Sequence, residues 1–345
     1  MKPKFGIIGC GGISRFHFAA LEKTGAEVTH VCDIKEETVR AKAKELGVRY
    51  STDYKKLLAD PEVTAVNVLT GSPTHLEICR AALLAGKDII CEKTMTNNAA
   101  EGLELVKAAR ASGKLFFTAF MKRFFPAAQK AKELLPSLGT LFSAQARSYQ
   151  AWGDFYNSND PGEYDFVLGL HGGAAVKCIG SHLIDLVLWL LGRPESLYAH
   201  VDYIPGTRFD RKAMALFEYA GGMAASFEAV THPLGKIGYE RNSWDECVQI
   251  NGTKGRIDLY TVMWDHPTNN AALLTHYDEA TKTSTEYRFD AVNTFELEIA
   301  YFYDCLVKRV QGSPDVVDGY MTDAVIDAII NSADKKMPVA LPKAP

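Results

Sequence analysis

Apolar residues recur with two different periods along this chain, and the change from one to the other falls just after Phe120. Before it, short strand-like runs at Phe5–Ile8, Val28–Cys32, Ala65–Leu69, Asp88–Cys91 and Leu115–Ala119 are separated by stretches of helical period. The helical stretches are Ser14–Lys23, Glu36–Leu46, His75–Ala85 and Asn98–Ser112. Gly86 and Gly113 follow two of them where a C-terminal cap belongs. Repeated alternation of strand and helix predicts a doubly wound parallel α/β sheet covered by helices on both faces.

Beyond Phe120 a short helix is expected at Ala127–Leu134, before Pro136. Strand-like runs follow at Leu141–Tyr149, Leu197–Tyr203, Ala213–Tyr219, Met223–Val230, Cys247–Asn251 and Arg256–Tyr260. Many alternate apolar with polar residues, and Ala220-Gly221-Gly222 and Asn251-Gly252-Thr253 make short turns between them. That pattern predicts a largely antiparallel sheet with one face covered. A strong helix, Ala174–Leu191, lies between the first two of these strands, and another, Thr294–Val310, follows the last. The stretch Ala151–Gly172 has little periodicity and is expected to be a long surface loop near a site. Two α/β domains result, residues 1–122 and 123–345, and a chain of 345 residues suits two cores better than one.

The first strand and helix are joined by closely spaced glycines, Gly9-Cys10-Gly11-Gly12-Ile13-Ser14, and Asp33 ends the second strand. Strand, tight turn, helix, strand and acid, in that order, form the layout a dinucleotide needs. Gly9 permits the sharp turn, and Gly11 lets the backbone approach a pyrophosphate. The N–H groups at the helix start, over Gly12, Ile13 and Ser14, would face the phosphates. Ser14 stands where a third small residue packs helix against strand. Asp33 would accept hydrogen bonds from ribose hydroxyls and favours NAD, since a carboxylate repels a 2′-phosphate. Lys35 and Arg40 keep NADP possible.

Composition narrows the function classes. Apolar content of 47% and charged content of 23% are those of a soluble globular protein. A net charge of −4 gives no general reason to bind nucleic acid or an anionic membrane. No apolar run approaches membrane-spanning length, and a first strand beginning at Lys4 is expected to leave no room for a leader. Seven cysteines without a Cys-x-x-Cys pair read as buried thiols of a cytoplasmic protein.

In a doubly wound sheet, ligands bind beyond the carboxyl ends of the strands. Cys91-Glu92-Lys93-Thr94 follows directly on such a strand, so Lys93 would sit at that edge. There it could bind a substrate hydroxyl and relay its proton, or it could be a solvated lysine paired with Glu92. On the helix Ala174–Leu191, residues Val176, Ile179, Leu183, Leu186, Val187 and Leu190 share one stripe. Cys178, His182, Asp185 and Trp189 share another, which is expected to look outward. His182 is suited to proton transfer near neutral pH, and the other reading is a helix histidine linked to Asp185. Cys178 and His182 lack the partner ligands of a zinc site, so no metal is expected.

Taken together, Gly9-Cys10-Gly11, Asp33, Glu92-Lys93 and Gly180-Ser181-His182-Leu183-Ile184-Asp185 resemble the glucose–fructose oxidoreductase / inositol dehydrogenase / rhizopine-catabolism (Gfo/Idh/MocA) family. The likeness extends to His17, Thr70, His75, Arg123-Phe124, Gly172-Gly173 and Asn251-Gly252-Thr253-Lys254-Gly255, and so covers essentially the whole chain. It implies a Rossmann domain joined to a substrate domain whose open sheet often makes a homodimer or homotetramer. It implies NAD-dependent oxidation of a ring hydroxyl, or reduction of a ketone, on a sugar, cyclitol or related polyol. In that picture Lys93 orients the hydroxyl, His182 is the general acid/base, and Thr70, His75 and Glu92 join the glycine loop in holding the cofactor. The substrate pocket would draw on Arg123, Tyr149, Trp152 and His171, with Cys178. Two relatives in function remain open: an enzyme that recycles tightly bound NAD to cleave a glycoside, and a dinucleotide-sensing regulator that needs no Lys/His pair.

Two positions depart from the family. Thr94 replaces the usual proline after Glu-Lys, and a cis bond there would cost about 3 kcal/mol, so the loop is expected to be trans unless strained for a reason. Cys178 replaces an Asp, and a thiol is a poor hydrogen-bond partner without fixed charge. The substrate, its orientation or the proton route is therefore expected to differ from that of inositol dehydrogenase.

Overall fold

A computed structural model describes residues 2–152, 167–263 and 272–345. They separate into two compact units. The first runs to residue 121 and takes in 295–323 and 344–345, and the second comprises 122–294 and 324–343.

In the first unit six parallel strands lie in the order β3-β2-β1-β4-β5-β6. They are β1 Lys4–Ile8, β2 Glu27–Cys32, β3 Arg49–Ser51, β4 Ala65–Val68, β5 Asp88–Cys91 and β6 Phe116–Thr118. Helices α1 Ser14–Thr24, α2 Glu36–Leu46, α3 Tyr54–Leu58, α4 His75–Leu84 and α5 Ala99–Ser112 connect them. The order reverses between β1 and β4, which places a crevice at their carboxyl ends. β3 and α3 lie outside the expected elements because an edge strand with Arg49 and Tyr50 exposed carries no apolar period. The segment 295–323, assigned by linear order to the second domain, packs in this unit instead. Phe295 stacks on Phe16 with centroids 5.0 Å apart, and Phe302 on Phe117 at 4.7 Å. Gln311 bonds both backbone polar groups of Phe116, and Asp323 accepts from the Thr96 N–H and hydroxyl. Such pairings are set by individual side chains rather than by a period, so the pattern of the chain does not show them.

The second unit is built on a sheet ordered β14-β13-β12-β11-β7-β10-β9-β8-β15. The strands are β7 Leu141–Gln150, β8 Ser196–Tyr203, β9 Asp210–Glu218, β10 Ala224–Thr231, β11 Trp244–Gly252, β12 Gly255–Thr261, β13 Leu273–Asp278, β14 Thr283–Arg288 and β15 Val339–Ala340. Neighbours are antiparallel except β7 and β10, which are parallel. Alternation sends Ala144, Ala146, Phe217, Phe227, Ala229, Val248 and Ile250 to one face, where they share a core with α6 Pro126–Leu134 and α7 Gly180–Leu191. The other face carries Gln145, Arg147, Tyr149, Glu228 and Asp245. β13 and β14 extend the sheet past the last expected strand, and β14 is exposed along nearly its whole length, so it has no apolar face to detect. Residues 153–166 of the expected loop lie outside the described residues, and residues 167–171 at its end are helical. Among the described residues no helix is long and apolar enough to cross a membrane.

Candidate active site

The glycine loop has the shape its sequence implies. Gly9 has φ 101°, and a Cβ there would lie 2.7 Å from the Leu69 carbonyl oxygen, so only glycine turns here. Gly11 and Gly12 face open space, and no side chain caps the start of α1. Ser14 is buried and its Oγ donates to the Gly11 carbonyl at 2.7 Å, which fits a small residue between helix and strand. Asp33 accepts from the Cys10 N–H at 2.8 Å and from the Lys35 N–H at 2.9 Å. An open backbone cradle, an uncapped helix start and a carboxylate held at the next strand end fit the pyrophosphate and ribose of a dinucleotide.

The loops after β4 and β5 are tied together. His75 is fully buried, with Nδ1 3.0 Å from the Thr94 carbonyl oxygen and Nε2 2.9 Å from that of Thr70. Burial pushes its pKa down against those contacts. Its ring nitrogens thus face backbone carbonyls after β4 and β5 rather than open space. Thr70 receives a hydrogen bond from Thr74 at 2.7 Å. The Lys93–Thr94 peptide is cis, where the missing proline pointed to trans. Thr94 is gripped on two sides, its hydroxyl by Ser72 at 3.0 Å and its carbonyl by His75.

Glu92 is buried behind this loop. Its Oε1 lies 2.9 Å from His17 Nε2, and its Oε2 accepts from the Lys93 N–H at 3.0 Å. Burial would raise the carboxyl, but His17 and then Lys93 outweigh it and hold it below the ordinary carboxylate value. Glu92 thus supports the loop and does not line open space, whereas Lys93 is partly exposed.

In the second unit, residues Ala175–Ile179 make a π turn that leads into α7. Such turns re-aim side chains within a helix. Asp210 anchors it, accepting from the Ala174 and Val176 N–H groups at 2.6 Å each. A Cβ on Gly180 would lie 2.9 Å from the Ala175 oxygen and 3.1 Å from the Phe227 ring, so the helix seats closely on the sheet at that point. Cys178 is partly exposed on the π turn. His182 is buried, at 9% exposure, rather than outward-looking. Asp185, one turn on, has no exposure and receives Arg123 through Nε (2.8 Å) and Nη2 (2.5 Å), whereas Cys178 and Trp189 of the same stripe are partly exposed. The guanidinium also lies 5.8 Å from the Trp189 ring centroid. Arg123, read from sequence as a substrate contact, is buried in support of the helix.

Other sequence candidates separate. Strand alternation puts Tyr149 on the face opposite α7, where its hydroxyl donates to Glu228 and its pKa is pushed up to about 12 by burial and that carboxylate. Trp152 lies on the covered side and donates to Gln150 at 3.3 Å. His171 ends the helical residues 167–171 and is partly exposed. Lys122, Asp210 and Glu246 escaped sequence reasoning. Lys122 pairs with Glu246 in the interior, and Ser148, Gln150 and Thr261 also donate to that carboxylate. Burial raises Glu246, and Lys122 brings it below its ordinary value. The signal available was its place in β11, two residues before Val248 on the covered face.

Residues 3–120 match the GFO_IDH_MocA oxidoreductase family with its NAD-binding Rossmann fold, and residues 128–258 match the GFO/IDH/MocA C-terminal domain. The chain belongs to the GFO/IDH/MocA family. It is 24% identical to levoglucosan dehydrogenase of Pseudarthrobacter phenanthrenivorans, over 91% of this chain and 89% of that one. It is 26% identical to inositol 2-dehydrogenase 3 of Saccharopolyspora erythraea, over 100% of this chain and 98% of that one. A solved levoglucosan dehydrogenase in complex with NADH and levoglucosan shares the fold with a TM-score of 0.86 at 23% identity, covering 99% of this chain and 100% of that one. The GFO/IDH/MocA assignment makes residues 3–120 an NAD-binding Rossmann domain.

Proposed function

We propose that this protein is an NAD-dependent dehydrogenase that oxidises a ring hydroxyl, or reduces the corresponding ketone, of a sugar, cyclitol or related polyol. The observation that carries this reading is the Lys93 loop. A partly exposed lysine follows the β5 end of a dinucleotide-type sheet, its peptide fixed by a buried carboxylate. The similarity to levoglucosan and inositol dehydrogenases supports the substrate class. Bound NAD would supply the hydride acceptor. Lys93 donates a hydrogen bond to the reacting oxygen and keeps it oriented, and His182 takes the hydroxyl proton in oxidation and returns it in reduction. Asp33, followed by the exposed Ile34 rather than a cation, supports NAD over NADP. Cys178 puts a thiol one helical turn before His182, so no fixed charge acts on the imidazole from that position.

A panel of sugars, cyclitols and keto-sugars, followed by nicotinamide absorbance with NAD and NADP, tests this. Turnover of at least one compound with NAD is expected, and Lys93→Met should lower kcat about 10²–10⁴-fold in a folded protein. Silence of the wild type across the panel overturns the proposal.

We also infer that copies of this chain associate through the open face of the second unit's sheet. Tyr198 pairs with Leu216 across β8 and β9, and with Met214 they leave an apolar strip 40–48% exposed. Light scattering should show an oligomer that Leu216→Glu reduces in size. Seven free cysteines support a reducing, cytoplasmic setting.

A further inference from the structure

Glu92, which fixes the Lys93 peptide, is itself backed by two buried polar side chains of the first unit, His17 and Asn67. His17 and Asn67 have no exposure and Glu92 has 6%. They come from three elements: His17 from α1, Asn67 from β4, whose other residues are Ala65, Val66 and Val68, and Glu92 from the end of β5. Their contacts run in one direction. Asn67 Nδ2 donates to His17 Nδ1 at 3.4 Å, His17 Nε2 donates to Glu92 Oε1 at 2.9 Å, and the Lys93 N–H donates to Glu92 Oε2 at 3.0 Å. With Nδ1 accepting, the ring proton sits on Nε2, the tautomer that can donate to the carboxylate. Phe295 closes one side of the imidazole edge-on, its centroid 5.7 Å away.

Packing alone does not account for this chain. An apolar trio of similar volume would fill the same space without desolvating a carboxylate, and such replacements are often neutral or stabilising. What the polar trio adds is direction, because its last bond falls on the backbone of Lys93.

We propose that His17 is a positioning residue for Lys93. Through Glu92 it fixes the peptide that carries the lysine side chain. Because it stands on the helix that follows the glycine loop, it also ties the setting of Lys93 to the loop that would hold the dinucleotide. The inference rests on the role proposed for Lys93. His17 and Lys93 face the Glu92 carboxylate, and His75 and Cys91 are near enough to feel its charge. Without the His17 donor, burial of Glu92 is less opposed and the carboxyl keeps its proton to higher pH.

The test compares His17→Leu, His17→Gln and Asn67→Leu with the wild type and with Lys93→Met, on the sugar or cyclitol that the wild type oxidises fastest. His17→Leu should lower kcat about tenfold or more and move the acidic limb of the kcat–pH profile upward. Its affinity for NADH, read by fluorescence titration, should change less than about threefold. His17→Gln keeps an N–H donor and should recover most of kcat. Asn67→Leu leaves the ring free to turn and should cost about threefold in kcat. That variant carries the test if His17→Leu does not fold. Full kcat with an unmoved acidic limb in His17→Leu overturns the proposal. So does an equal loss of kcat and melting temperature in His17→Leu and His17→Gln, which would make the chain structural. If Lys93→Met is dead while His17→Leu turns over at full rate, only this inference falls. If Lys93→Met stays active, the role of Lys93 falls and this inference with it.

Discussion

Lys93 and His182 are held in different ways. Lys93 rides on a loop, and the loop is fixed by a spread of modest bonds: Ser72 with Thr94, His75 to one of the two carbonyls it lies against, and the Lys93 N–H to Glu92. His182 rides on a helix, and the helix is fixed by two concentrated anchors. One is the buried Arg123–Asp185 pair, and the other is the Asp210 carboxylate at the π turn. A loop held by many small bonds can adjust when one is lost. A desolvated ion pair is different, because removing one partner leaves the other charge buried and uncompensated.

The sharpest test of that contrast is Arg123→Met. It leaves Asp185 charged and buried without its cation and should cost about 3–5 kcal/mol of stability in a denaturant titration. The double variant Arg123→Met/Asp185→Leu removes both charges and should recover most of the loss. A Ser72→Ala change on the loop side should cost only about 1 kcal/mol. Equal costs for Arg123→Met and Ser72→Ala would erase the distinction.

Gly180→Ala probes the seat of the helix rather than its charge. The added methyl would meet the Ala175 oxygen at 2.9 Å and the Phe227 ring at 3.1 Å. The backbone oxygen cannot swing aside as a long side chain could, so a loss of about 1–3 kcal/mol is expected from thermal unfolding. An unchanged melting temperature would mean that the π turn adapts and that the helix is less firmly seated than the loop.

The same contrast governs what could be read from the residues alone. The glycine loop, Asp33 and Lys93 were legible because local order fixes them: each follows a strand end at a set spacing. The second sheet was legible through β12 and was lost from β13 on, and in β14 almost every residue is exposed. Helical spacing put Asp185 and Trp189 on one stripe, and both meet Arg123, but it took no account of the π turn that carries Cys178. It could not tell that Asp185 is buried, because its partner, Arg123, lies 62 positions away. Tyr149 was misplaced by a different limit. Nearness to a strand end says nothing about which face a side chain takes, and one residue of register reverses it. The cis Lys93–Thr94 bond was not legible either, and the contacts of Thr94 with Ser72 and His75 come from residues about twenty positions away.

The smallest effect separates the two regions by the sign of their response to acid. Glu92 has a folded pKa below its ordinary 4.5, so its contribution is present above that value and is lost as pH falls through the folded one. Asp210 is the reverse. Burial outweighs the N–H bonds from Val176 and Ala174 and raises its pKa above the ordinary 3.8. Its contribution is fully present below 3.8 and is lost as pH rises through the higher folded value. Measured between about pH 3 and 6, the stability of the wild type relative to Glu92→Gln should therefore shrink on acidification, while that relative to Asp210→Asn should grow. Glu246, held low by Lys122, titrates in the same direction as Glu92 and is common to both comparisons, so it cancels from each difference. Parallel slopes for the two variants would show that Asp210 is stabilised as a carboxylate by its two backbone donors more strongly than burial opposes it, and the helix anchor would then behave electrostatically as the loop does.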